Sequence, residues 1–110
     1  MANINTVELL ENMLKAAEKT FGKKWKEAKG YAESEFKKIG TEIAYIEKEF
    51  LTGNMDESRA QLHLKMQKNA AQTVLLMVEG LNKLAVEEAV NAAMAVVKES
   101  VNTALGFALI

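Results

Sequence analysis

No proline interrupts the 110 residues of this chain, and its one strong turn signal is Gly53-Asn54. Proline ends helices decisively, because it lacks a backbone N–H and clashes with the preceding turn. Without it, the segments on either side of Gly53-Asn54 keep an apolar periodicity of three and four residues over roughly fifty positions each. The pattern predicts an all-α fold, a single helical domain over 1–110 with arms at about 6–52 and 55–106. A connection as short as 53–54 forces antiparallel neighbours, so the arms form a long hairpin, each arm about 70 Å if unbroken.

The first arm opens on Asn5, a good N-cap, with Glu8 in the capping-box position and Ile4 and Leu9 placed for a hydrophobic staple. Its apolar stripe runs through Val7, Leu10, Leu14, Ala17, Phe21, Trp25, Ala28, Ala32, Phe36, Ile39, Ile43, Ile46 and Phe50. Gly22, Gly30 and Gly40 interrupt it, each costing about 1 kcal/mol against alanine inside a helix. None has a proline or an Asn-Gly pair beside it, so the expectation is one continuous, bent helix rather than three pieces. At the central turn, Gly53 suits the left-handed end of a helix, and Asn54 with Glu57 suits the cap of the next.

The second arm is apolar on more than one face. From Ala70 to Leu81 only Gln72, Thr73, Glu79 and Gly80 are not plainly apolar, and Ala92 to Val97 continues the pattern. A helix so covered needs more than one neighbour. A second copy of the hairpin would supply it, giving a dimeric four-helix bundle whose interface is Val74, Met77, Val78, Leu81, Leu84, Val90, Met94, Val97, Val101 and Leu105. The alternative is a compact monomeric bundle of four or five short helices, broken at Gly22, Gly40, Gly53 and Gly80.

Chemistry-bearing patterns are sparse. Cysteine is absent, which removes disulfides, thiolate metal sites and thiol nucleophiles. His63 is the only histidine; folding the hairpin sets it level with Tyr45 and near Glu42 and Glu49. Doubled in a bundle, these carboxylates and histidines are the raw material of a metal site, although the Glu-x-x-His unit of di-iron helices is missing, Ala60 standing three residues before His63. Ser34, Ser58 and Ser100 lie in helical pattern, and the glycines form no phosphate loop. No catalytic residue and no cofactor are expected.

Charge is balanced overall, at −1, but not along the chain. Between Lys15 and Lys38 eight lysines face four acids, with Trp25 and Tyr31 among them. Lys23, Lys24, Trp25, Lys26 and Lys29 are the candidate anion-binding set, set against a solvated face held by pairs such as Glu11–Lys15 and Glu33–Lys37. No stretch reaches the eighteen apolar residues of a membrane span. The uncharged tail after Glu99 could dock on another subunit or on a bilayer, and the N-terminal Met1-Ala2-Asn3-Ile4-Asn5 lacks the features of a secretory leader, so a cytoplasmic location is expected. In length and hairpin shape the chain resembles a secreted helical-hairpin family with Trp-x-Gly in its central turn; here that turn reads Thr52-Gly53-Asn54, and the family is not adopted.

The functional expectation is therefore a self-associating assembly or protein–protein interaction factor without catalysis, its partner a second copy or another protein on the second arm or tail. A polyanion or membrane-surface module and a carboxylate–histidine metal bundle are the alternatives. Neither nucleic acid nor a peripheral membrane is the expected partner, given the net charge.

Overall fold

The computed structural model describes residues 4–110; the reading of Met1, Ala2 and Asn3 as leaderless lies outside them. The first helix, α1 (Thr6–Phe21), starts where extended Asn5 accepts the Glu8 N–H at 3.1 Å, the expected cap. It stops at Gly22, whose backbone (φ 55°, ψ −120°) lies in a region open to glycine and strained for other residues. A 3₁₀ turn over Gly22–Lys24 reverses the chain into α2 (Trp25–Leu51). The continuous first arm is thus corrected: it divides at Gly22, whereas Gly30 and Gly40 stay inside α2.

The turn after α2 satisfies its last carbonyls in the manner of a Schellman motif. Asn54 N–H donates to Glu49 O at 2.8 Å and Gly53 N–H to Phe50 O at 3.1 Å, with Gly53 at φ 82°. The third helix, α3 (Glu57–Leu75), is capped by Asp56, whose carboxylate accepts the Arg59 N–H at 2.8 Å. The expected cap, Asn54, instead donates to Thr52 Oγ1. The second arm also divides. Residues 76–82 turn through Gly80 (φ 87°), and Asn82 caps α4 (Lys83–Leu105) by accepting the Ala85 N–H at 2.8 Å. Gly106 then ends α4 in the left-handed conformation, its N–H on Asn102 O.

The reversals between α1 and α2 and between α2 and α3 make packed neighbours. A Cβ on Gly40 would lie 3.9 Å from Thr6 O, and Ile4 N–H donates to Glu47 Oε1 at 3.2 Å, so α1 folds back along α2. The Glu47 carboxylate thereby stands at the positive end of α1, where negative charge is favoured. Asn5, Leu9 and Asn12 share a shallow cleft with Ser100 and Ala104, which sets α4 antiparallel to α1. The α1–α4 seam is the most extensive, those of α2–α3 and α1–α2 follow, and α3 meets α4 only slightly.

The result is a compact all-α bundle of four helices, with no strand among the described residues. Its longest dimension is 43 Å, well short of the about 70 Å of an unbroken arm. The extended hairpin is therefore corrected, and the reason is physical. Both arms break, and α4 packs on α1 while α3 packs on α2, so the chain supplies from within the neighbours expected of a second copy. Phe36, Ile39, Ile43 and Ile46 of α2 are fully buried, against Met13 of α1, Leu75 of α3 and Val86, Val90, Val97 and Val101 of α4 in one core. Of the expected interface, Val78, Val90, Met94, Val97, Val101 and Leu105 are buried within this single chain; Val74 and Leu81 are half-buried, and Met77 and Leu84 stand in solvent.

The tail also differs from expectation. Residues 106–110 cap the far end of the bundle, where Phe107 packs on Phe50 with ring centroids 4.5 Å apart and Leu109 is buried. Asn102 holds this segment with one side chain: its Oδ1 accepts the N–H groups of Leu109 and Ile110, and its Nδ2 donates to Ile110 O. The uncharged tail thus covers the chain's own core. Among the described residues no helix is long and apolar enough to cross a membrane.

Candidate functional site

The two ends of the bundle differ in chemistry. At the end opposite the tail, α1 finishes, the Gly22–Lys24 turn begins α2, and the 76–82 turn joins α3 to α4. The two turns touch: a Cβ built on Gly80 would lie 2.7 Å from Lys24 Nζ, so the lysine head rests over a position kept free of a side chain. Lys19, Lys23, Lys24, Lys26 and Lys29 are all exposed there or on the adjoining turns of α1 and α2. Trp25 sits among them half-buried and packed against the core, its ring stacked on Phe21 with centroids 6.4 Å apart.

None of these five lysines has a carboxylate within ion-pair distance among the described residues. The expected Glu11–Lys15 and Glu33–Lys37 pairs do not close either. The ion pairs present are Lys38–Glu35 at 3.1 Å, with Glu35 buried on α2, His63–Glu42 at 3.0 Å, and a loose Lys83–Glu87 contact at 3.9 Å. Lys19, in the last turn of α1, suits the negative end of that helix, whereas the lysines at the start of α2 work against the fold. The start of a helix carries partial positive charge and favours acids, as α1 and α3 show with Glu8 and Glu57 in their first turns. Around the start of α2 stand Lys23, Lys24 and Lys26 against Glu27 alone, and no side chain caps it.

The same end carries apolar side chains in water. Leu76 is 42% exposed, Met77 80% and Leu84 65%. Sequence reasoning placed Met77 and Leu84 at a dimer interface inside a continuous helix. The overlooked signal was the pairing of Gly80 with a capping residue, Asn82, two positions on, which marks a turn and turns neighbouring apolar residues outward.

The metal candidates come together only in part. His63 Nδ1 lies 3.0 Å from Glu42 Oε1 across the α2–α3 seam, and Tyr45 leans on the imidazole with centroids 6.2 Å apart. Glu49, two helical turns beyond Glu42, does not join them. Among the described residues no three His, Asp or Glu side chains converge on a point that could hold a metal ion. The pair has a structural role on its own terms, as a charge-assisted or neutral hydrogen bond joining α2 to α3.

A cleft of about 440 Å³ follows the slight α3–α4 contact, with Leu64, Met94 and Leu109 along it and Lys65, Lys68 and Glu87 among its polar lining. It gathers no nucleophile beside a base. No family model, curated protein or solved structure matches the chain.

Proposed function

We propose that the protein is a non-catalytic docking module whose lysine-rich end binds a polyanionic surface. The observation that carries this reading is the exposed set Lys19, Lys23, Lys24, Lys26 and Lys29 at the junction of α1 and α2, unpaired among the described residues. Lysines that gain no carboxylate do little for the fold, those at the start of α2 least of all, and their free charge is available to a partner. Each lysine near an anionic surface contributes on the order of 1 kcal/mol, roughly fivefold in binding, so five acting together suffice for docking despite a net charge near zero.

Binding to dextran sulfate, followed by the anisotropy of a labelled protein, tests this. Affinity should fall steeply between 50 and 200 mM salt, as about three to five neutralised anionic sites require. Replacing Lys23 and Lys26 with glutamine should weaken it at least tenfold at low salt. Salt-independent binding, or none at low salt, would refute the proposal, since an electrostatic contact is strongest there.

A second reading keeps the self-associating role and is favoured by α3. That helix packs well on α2 but little on α4, and Leu62 and Met66, four residues apart, are 55% and 62% exposed on it. Light scattering on the eluting protein tests it. A dimer that Leu62→Lys converts to monomer would support pairing along α3, and a monomer at all concentrations would exclude it.

A further inference from the structure

The partner of the lysine-rich end can be narrowed, on the strength of the polyanion reading, by what stands beside the lysines. Single exposed leucines are ordinary on protein surfaces. Here Leu76, Met77 and Leu84 fall within nine residues of one connection, and the contact of Lys24 with Gly80 sets that connection against the lysines. A nucleic-acid backbone would neutralise the lysines and leave the three aliphatic groups in water. An anionic bilayer accommodates both chemistries at once. Aliphatic tips enter the headgroup–acyl boundary, about 5–10 Å deep, while lysine stems lie along the apolar region and carry their ammonium groups out to lipid phosphates. Trp25, half-buried at the same level, is of the residue type that settles in that boundary.

We infer that this end docks end-on to an anionic lipid bilayer, with Met77 and Leu84 inserted and Lys19, Lys23, Lys24 and Lys26 on the headgroups. The bundle axis then stands away from the membrane, and the tail end, closed by Phe107 and Leu109, faces the aqueous side. The apolar tail, one of the sequence features suggesting a membrane contact, has no part in it, because it is occupied at the other end.

Co-sedimentation with vesicles of phosphatidylcholine containing about one-third phosphatidylserine tests the inference, with pure phosphatidylcholine vesicles, dextran sulfate and a single-stranded oligonucleotide in parallel. The single tryptophan gives a second readout through a blue shift on docking. The variants are Met77→Ser with Leu84→Ser, both surface changes whose folding circular dichroism would verify, and Lys23→Gln with Lys26→Gln. The expected pattern is binding to the anionic but not the pure phosphatidylcholine vesicles, reduced at least tenfold by either pair, while dextran sulfate binding falls with the lysine pair alone. If the serine pair bound anionic vesicles as tightly as the unaltered protein, the bilayer inference would be overturned and the polyanion reading kept. Tighter binding to the oligonucleotide than to vesicles would also overturn it, in favour of nucleic acid. Failure on vesicles and dextran sulfate alike would remove both.

Discussion

Gly22 and Gly30 stand eight residues apart, and substituting each with alanine should move stability in opposite directions. At Gly22 the backbone has φ 55° and ψ −120°, and a Cβ there would meet nothing within 4 Å. The cost of Gly22→Ala is therefore conformational rather than steric, on the order of 1–3 kcal/mol for a residue forced into so sparse a region. Gly30 is helical and its added Cβ also meets nothing, so Gly30→Ala should gain about 0.5–1 kcal/mol. Gly40→Ala belongs with Gly30: its Cβ would reach Thr6 O at 3.9 Å, an ordinary contact. For a domain near this size each kcal/mol moves the melting temperature by roughly 4–8 °C. Scanning calorimetry should then show Gly22→Ala melting several degrees or more below the parent and Gly30→Ala a few degrees above it. A continuous first arm makes a different forecast, in which all three alanines stabilise. If Gly22→Ala raised the melting temperature, the break after α1 and the bundle built on it would be refuted.

Asn102→Ala removes three hydrogen bonds to the tail backbone and should cost about 1–3 kcal/mol. Hydrogen exchange at Leu109 and Ile110 should quicken markedly while helix content by circular dichroism stays unchanged. Asn82→Ala removes the cap of α4, and urea unfolding should show a loss of about 1 kcal/mol; no loss would mean that α3 and α4 are not separated there. Reversing Lys26 to glutamate puts an acid in the first turn of α2, which should raise the melting temperature by a few degrees at low salt. The same variant should lose binding to dextran sulfate, so that stability and binding move in opposite senses.

The helical class was legible because apolar spacing of three and four survives any arrangement of the pieces. The Asn5 cap and the Gly53 turn were legible because each rests on bonds among neighbouring residues. What sequence left open was which glycines bend the chain. Gly22, Gly30 and Gly40 have similar local surroundings, and only Gly22 is required at positive φ, by the way α1 meets α2 and α4. At Gly80 the Asn82 cap was an available sign, outweighed by the apolar run on both sides. The site followed the fold. His63 beside Glu42 was foreseeable from hairpin register, since the α2–α3 turn was read correctly. The lysines were visible as a charge run, but their apolar neighbours come from the other half of the chain. No spacing along the sequence brings Met77 to Lys24.

The α1–α4 seam, the largest in the bundle, joins the two helices farthest apart in sequence. Closing a long loop is entropically slower than closing a short one, so α2 and α3, joined by a five-residue connection, should pair before α1 finds α4. During synthesis α1 emerges first and α4 last. Until then the apolar stripe of α1, with Met13 and Ala17 at its centre, rests on α2 alone and lacks the helix that completes its cover. Before α4 docks, the folding chain therefore passes through a stage in which the α1 stripe is covered on one side only. The α1–α4 seam is thus the contact on which closure of the bundle waits.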